Sequence, residues 1–191
     1  MSLIAFLSAT LALLLAPGPT NTLMGVAGAQ GGMRHVLHLL PAELLGYLAT
    51  ILPLLLLGAG VLAQYPQLVS ALTLASAIWV MVLALRLWGQ QVRGGADTAI
   101  TLRRVFVTTL LNPKALIFGL VLLPDPASPD ILSRLGLFCL MVSGVAMVWG
   151  GAGVLAQAGL GGAARVQVIQ RCAALWLAIV SITLIAGVIR A

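Results

Sequence analysis

Four long stretches of this chain contain no Asp, Glu, Lys or Arg, and they limit the possible folds more than any other feature. They cover residues 1–33, 44–85, 135–164 and 172–189. A helix needs about 20 apolar residues to cross the hydrocarbon core of a bilayer, so the second stretch is long enough for more than one crossing. Only 7% of the residues are charged, against about a quarter in a soluble domain. The sequence therefore predicts a single multi-pass, all-α membrane domain over residues 1–191.

Several other classes of protein are disfavoured. The first positive charge is Arg34, whereas a cleaved signal peptide starts with a basic region, so we expect a retained first helix. The net charge of +6 is not arranged as a basic surface with interleaved aromatic residues, which argues against nucleic-acid binding. Cys139 and Cys172 form no Cys-x-x-Cys pair. Common hydrolase and nucleotide-binding motifs are absent, so we expect no enzyme, no metal and no cofactor.

Turn residues and charges divide the chain into six apolar segments. They cover residues 3–30, 36–62, 68–88, 105–123, 131–155 and 168–189. The first segment is interrupted at Pro17-Gly18-Pro19 and the fourth at Asn112-Pro113. Proline removes a backbone donor and bends or breaks a helix. The pattern therefore predicts six transmembrane helices, of which the first and fourth are broken.

The charges that border these segments predict an orientation. Connections one, three and five carry seven arginines and one acid, Asp97. The alternate connections carry Asp125, Asp130 and Arg134, and Arg190 stands near the end of the chain. Because arginine and lysine accumulate in cytoplasmic loops, the first set is predicted to be cytoplasmic. Both termini would then lie outside the cytoplasm, with the protein in the cytoplasmic (inner) membrane.

The two helix breaks indicate an internal symmetry. Pro17 and Asn112 are 95 positions apart, which is about half the chain. Each half, about 1–95 and 96–191, holds three predicted helices with the first one broken. Because three is odd, the halves enter the membrane from opposite sides, which is the inverted repeat of many secondary transporters. The alternative is that both prolines are ordinary kinks, which membrane helices tolerate.

Two charged residues, Glu43 and Lys114, lie inside apolar segments. A charge at the centre of a bilayer costs about 3 kcal/mol on insertion scales, so a functional site or an ion pair is the default explanation. Tyr47 and Thr50 share a helix face with Glu43, and this polar face should point into the bundle. A carboxyl group in an apolar cavity suits proton coupling. The alternatives are a shallower Glu43 and a Lys114 that snorkels to the surface.

The breaks supply a second set of polar groups. Thr20, Asn21 and Thr22 follow the first break and can cap the half-helix that starts there. The amide end of that half-helix would attract a substrate carboxylate. Asn112 could bind a ligand or satisfy loose backbone groups, and Gly18 lets the backbone bend.

Two segments resemble the signatures of a known family. Residues 16–23 (Ala-Pro-Gly-Pro-Thr-Asn-Thr-Leu) and 106–115 (Phe-Val-Thr-Thr-Leu-Leu-Asn-Pro-Lys-Ala) are similar to the Pro-Gly-Pro and Asn-Pro-Lys segments of the LysE/RhtB family of amino-acid exporters. Residues 72–86 resemble the third helix of that family. Chain length, segment number and the basic third connection agree with it.

The resemblance implies a proton-driven exporter of amino acids or their derivatives. It also implies that site or hinge roles fall to Pro17, Gly18, Pro19, Asn21, Asn112, Pro113 and Lys114. Within such a site, we expect Glu43 to recognise a substrate ammonium group, while Lys114 and the half-helix end meet a carboxylate. The expected partners are a small-molecule substrate and membrane lipid. The sequence also allows a homodimer formed through the glycines of residues 150–162, but it does not decide whether one forms.

Other functions fit parts of the pattern. The chain could export another small metabolite or a cation, although a cation exporter should place several acids, His or Cys in its helices. A membrane enzyme or thiol carrier would need a nucleophile with its base, or paired thiols. A membrane assembly subunit without transport activity would not need paired breaks and buried charges.

Overall fold

The computed structural model describes residues 2–64, 66–89, 100–123, 126–158 and 162–190. Within these ranges the chain is almost entirely helical and contains no strand, so the predicted all-α class is confirmed. The helices are α1 (Leu3–Leu15), α2 (Pro19–Gln64), α3 (Pro66–Gly89), α4 (Leu102–Leu110), α5 (Pro113–Ile117), α6 (Ile131–Ala158) and α7 (Gly162–Arg190). A π-helical turn, Phe118–Leu122, continues α5.

Both predicted helix breaks are present. The first separates Leu15, the end of α1, from Pro19, the start of α2. The second separates Leu110, the end of α4, from Pro113, the start of α5. Proline is favourable in the first helical position, because the N–H that it lacks would have no intrahelical acceptor there. Each break is therefore both a stop for one helix and a start for the next.

Helix α2 consists of two helical parts, and the chain reverses direction between them at Gly32. Oγ1 of Thr20 and Oη of Tyr47 lie 3.1 and 3.4 Å from the same atom, Nδ2 of Asn112. A straight helix would separate positions 20 and 47 by about 40 Å. Gly32 has a φ of +69°, a left-handed conformation that glycine adopts at little cost. We call residues 19–31 limb A and residues 33–64 limb B; the turn lies in the first predicted connection.

Several helices have the length and composition of membrane helices. Within the described residues, three segments are long and apolar enough to cross a membrane: Pro19–Leu56, which contains the turn at Gly32, Ile131–Gln157 and Arg171–Val188. Leu3–Leu15 and Thr73–Gly89 are shorter apolar helices. Large leucine side chains cover the outer surface, and more than three quarters of the side-chain surface is exposed at Leu56 and Leu132. Such a surface suits lipid better than water.

Helix α6 packs along both limbs of α2. It runs antiparallel to limb B, because Val36 lies against Gly150 while the Tyr47 ring meets the Phe138 ring edge-on at 5.5 Å. It runs parallel to α1 and limb A, because the Arg134 guanidinium lies 5.5 Å from the centre of the Phe6 ring while Gly153 lies against Gly25. Helix α6 therefore holds the two limbs together.

The contact between limb A and α6 depends on glycine. A Cβ atom at Gly28 would lie 2.0 Å from the carbonyl oxygen of Gly150, and one at Gly153 would lie 1.9 Å from that of Gly25. No side chain fits at such distances, so the two backbones touch directly, as small residues permit in membrane helices. Gly150 and Gly153 are thus used within the chain.

The first and third connections meet at one end of the bundle. Nε2 of His35, beside the turn, lies 2.8 Å from the carbonyl oxygen of Ile100, and Val36, Leu87 and Ile100 share one buried cluster. Among the residues whose side chains are described, the arginines at or near this end are Arg34, Arg86, Arg103, Arg104 and Arg171, the last of which lies over the Trp88 ring. Asp130 and Arg134 pair at 3.7 Å at the opposite end, beside α1. Arg93, Asp97 and Asp125 lie outside the described residues.

Candidate functional site

The two helix breaks pack against each other. Nδ2 of Asn112, in the second break, donates to Oγ1 of Thr20, just after the first break. Nζ of Lys114 donates to the carbonyl oxygen of Ala16. A Cβ atom at Gly18 would lie 3.1 Å from Cε of Lys114, so the glycine leaves room for the lysine side chain. Residues far apart in the chain thus form one site.

A buried hydrogen-bonded cluster joins the breaks to limb B. We define the break cluster as Thr20, Tyr47, Thr109 and Asn112, each at most 3% exposed. Thr109 donates to the carbonyl oxygen of Val105 at 2.9 Å, and its Oγ1 lies 3.2 Å from that of Thr20. With its own hydrogen used, Thr109 accepts from Thr20, which in turn accepts from Asn112. The break cluster is therefore a continuous chain of hydrogen bonds.

Asn112 uses both ends of its amide group within the protein. Its Oδ1 accepts from the backbone nitrogen of Lys114 at 3.1 Å, which caps α5. Its Nδ2 donates to Oγ1 of Thr20 and to Oη of Tyr47. Of the two roles expected for Asn112, the geometry matches the satisfaction of loose backbone groups.

Asn21 differs from the expected geometry, because it reaches backwards instead of capping α2. Its Nδ2 lies 2.6 Å from the carbonyl oxygen of Leu14 and 3.0 Å from that of Ala16. The last carbonyl groups of a helix have no intrahelical donor, and neither Pro17 nor Pro19 has an N–H to offer them. Asn21 therefore stabilises the end of α1. Limb B does the same for α4, since Thr50 donates to the carbonyl oxygen of Leu110 at 2.9 Å.

Glu43 is buried beside the break cluster and has an unsatisfied oxygen. Its side chain is 2% exposed, and Oε2 has no hydrogen-bond partner in the part of the chain that the structure describes. Glu43 interacts electrostatically with Lys114, but the two form no direct ion pair. A buried carboxylate oxygen without a donor is costly. It is available to a proton or to a cationic group that enters the site.

Lys114 faces the interior of the bundle. Its Nζ reaches the carbonyl oxygen of Ala16 at the end of α1, where the helix dipole favours a positive charge. This geometry does not correspond to a side chain that snorkels to the surface. The site thus holds one positive and one negative group that interact electrostatically, each with capacity for a further ligand.

A separate cavity adjoins the first break on the side of α6 and α7. Its volume is about 320 Å³, and its walls include Pro17, Thr22, Gly25, Trp149, Gly153 and Trp176. Neither Glu43 nor Lys114 lines it.

Sequence reasoning identified three of the four residues of the break cluster and missed Thr109. Thr20 and Tyr47, both candidate site residues, each contact Asn112, and Glu43 interacts electrostatically with Tyr47 and Lys114. Thr109 was missed, and its neighbour Thr108 lies outside the cluster, where it accepts from Nε1 of Trp79 at 3.1 Å. Trp149 and Trp176 were not connected with a cavity, since nothing in their spacing indicates that α6 and α7 separate there.

No protein-family model matches the chain, and no curated protein or solved structure shows significant similarity to it.

Proposed function

We propose that this protein is a secondary active exporter of amino acids or their derivatives, of the LysE/RhtB type, coupled to the proton gradient across the cytoplasmic membrane. One observation carries the proposal: the two helix breaks lie together beside a buried glutamate with an unsatisfied oxygen. Paired breaks in membrane helices are the arrangement that transporters use for sites near the bilayer midplane. A buried acid in such a place is a functional group by default.

The contacts of the broken helices support an inverted repeat. Gly153 of α6 packs on Gly25 of limb A, and Leu54 of limb B packs on Gly119 of the π-helical turn. The broken-helix positions, 25 and 119, differ by 94. Their partners, 153 and 54, differ by 99.

A second pair of contacts follows the same rule. Arg134 of α6 lies over Phe6 of α1, and His35 of limb B contacts Ile100 just before α4. The broken-helix positions, 6 and 100, again differ by 94, and their partners, 134 and 35, again differ by 99. Constant offsets at both ends of the bundle are what a two-fold relation between halves requires. These offsets favour a repeat over a pair of unrelated proline kinks.

The proposal assigns six crossings to the helical elements. They are α1 with limb A, limb B, α3, α4 with α5 and the π-helical turn, α6, and α7. The arginine-rich end of the bundle then faces the cytoplasm, in agreement with the tendency of cytoplasmic loops to be basic. Both termini face the opposite side.

The site suggests how an amino acid would bind. The substrate ammonium group would meet the free Oε2 of Glu43, and its carboxylate would meet Nζ of Lys114. The binding of a proton to Glu43 would remove its attraction for the ammonium group. Proton binding and substrate release would then be linked, as antiport requires.

Export from liposomes tests the proposal. Purified protein is reconstituted into vesicles loaded with a radiolabelled amino-acid mixture, and the outside is acidified. We expect efflux above that of protein-free vesicles, accelerated several-fold by the gradient because entering protons exchange for leaving substrate, and slowed by a protonophore. Efflux equal to that of protein-free vesicles for every amino acid would contradict the proposed substrate class. Efflux that ignores the gradient would contradict proton coupling.

A further inference from the structure

We infer that the cavity beside the first break is a pocket for the apolar side chain or acyl group of the exported compound, so that the transporter prefers amino acids or derivatives with a bulky apolar part. This inference rests on the proposed function and names its substrate class. It is carried by the chemistry of the cavity walls, its volume and its position.

The walls of the cavity are apolar. Two tryptophans, Trp149 of α6 and Trp176 of α7, face a wall of small residues and Pro17. Thr22 is the only hydroxyl-bearing residue among the lining residues, and none of them is charged. An apolar group gains about 25 cal/mol for each Å² that it removes from water. A charged or strongly polar side chain would lose its hydration here without a replacement partner.

The volume fits a small ligand. Cavities that bind small molecules measure about 300–1,000 Å³, and this cavity, at about 320 Å³, lies at the lower limit. It has room for an aliphatic or aromatic side chain, not for a large metabolite. Its size therefore agrees with an amino acid or a simple derivative.

The position connects the cavity to the charged site. Pro17 lines the cavity, and the next residue, Gly18, touches the side chain of Lys114. Thr22 lines the cavity one turn of limb A after the break. The apolar cavity and the ammonium group of Lys114 thus lie on either side of the first break, at neighbouring residues of the chain. A ligand at the break can place its apolar part in the cavity and its carboxylate near Lys114.

Ala152→Phe tests the pocket, because Ala152 lines the cavity and a phenyl group would fill much of it. The matched control is Leu140→Phe on the exposed side of the same helix, where the side chain is 71% exposed. In the liposome assay, wild-type protein should export L-leucine and L-phenylalanine faster than L-serine and L-lysine. Ala152→Phe should lower L-leucine export about tenfold and L-alanine export less than about twofold, and Leu140→Phe should change neither.

Equal loss of every substrate in Ala152→Phe would overturn the inference, since it would indicate a packing defect. Unchanged L-leucine export in Ala152→Phe would overturn it too. If less lipid then co-purified with Ala152→Phe than with the wild type, the occupant of the cavity would be a lipid acyl chain. If a dimer that can be cross-linked in the wild type were absent from Ala152→Phe, the occupant would be a second copy of the protein.

Binding in detergent without a gradient separates this inference from the proposed function. L-leucine should change the tryptophan fluorescence of the wild type, and the change should be lost in Trp149→Phe/Trp176→Phe. If this signal is present but no amino acid is exported, the exporter proposal fails and the pocket stands. If export occurs without selectivity for apolar substrates, the pocket fails and the exporter stands.

Discussion

Glu43→Gln should abolish the response of export to an imposed pH gradient and weaken substrate binding about 30-fold. The substitution keeps the size of the side chain but removes its charge and its exchangeable carboxyl proton. The charge pair at issue is the one that the Glu43 carboxylate would form with the ammonium group of the bound substrate. Loss of one charge from a buried, hydrogen-bonded pair costs about 2 kcal/mol or more, and this corresponds to roughly a 30-fold change in the dissociation constant of the substrate. Initial rates of efflux at several external pH values measure both effects.

Asp130→Asn is the matched control for Glu43→Gln. Asp130 is an exposed acid that pairs with Arg134 at the far end of the bundle, and exposed pairs contribute little. Its neutralisation should leave the pH response intact. If Glu43→Gln exported at the wild-type rate with the wild-type pH dependence, Glu43 would have no coupling role.

Lys114→Met should damage both folding and transport, which makes it the second large effect. The substitution leaves the carbonyl oxygen of Ala16 with one donor fewer and Glu43 without its nearby positive charge. Breaking a buried ion pair by removing one partner lowers the free energy of unfolding by up to about 3–5 kcal/mol. Because Lys114 and Glu43 interact without direct contact, we expect a smaller loss of about 1–3 kcal/mol. Thermal unfolding in detergent and liposome export measure the two consequences.

The double variant Glu43→Gln/Lys114→Met separates folding from transport. Because it removes both charges, we expect it to recover part of the stability lost in Lys114→Met, without recovering export. Arg34→Met, which removes an exposed positive charge at the basic end of the bundle, should affect neither property. Equal stability of Lys114→Met and wild type would mean that Lys114 is not part of a buried site.

The breaks could be predicted because proline acts locally. Pro17, Pro19 and Pro113 each lack a backbone donor, and no packing partner can restore it. The turn at Gly32 could be located for a similar reason, since two consecutive glycines precede Arg34. The π-helical turn after α5 had no signal in the sequence.

The partners across the bundle could not be predicted from the sequence. The hydrogen bonds between Thr20, Thr109 and Asn112 join residues about 90 positions apart, and they depend on how two helices approach each other. In apolar membrane helices the usual contrast between a buried and a wet face is weak. Periodicity therefore placed Tyr47 and Thr50 on the face of Glu43, but it did not identify their partners in α4 and the second break.

The hydrogen-bond partners of the Asn21 side chain could not be predicted for the same reason, since they depend on the path of the chain. The side chain had a plausible local role as a cap of α2, but the free carbonyl groups at the end of α1 offered acceptors as well. Only the path of the chain through Pro17 and Gly18 decides between the two. The cavity at Trp149 likewise depends on a gap between helices, and no residue pattern in the sequence predicts such a gap.

Disulfide formation between Thr20→Cys and Thr109→Cys, in a background with Cys139→Ser and Cys172→Ser, tests most directly whether the two helix breaks meet. The hydroxyl oxygens of the two threonines lie 3.2 Å apart, so two sulfur atoms need only a small approach to reach the bond length of about 2.05 Å. Mild oxidation should cross-link this pair in native membranes, whereas Thr20→Cys with Thr183→Cys, on the exposed side of α7, should stay reduced. If the first pair stayed reduced under conditions that oxidise exposed cysteines, the breaks would not form one site and the proposed mechanism would be wrong.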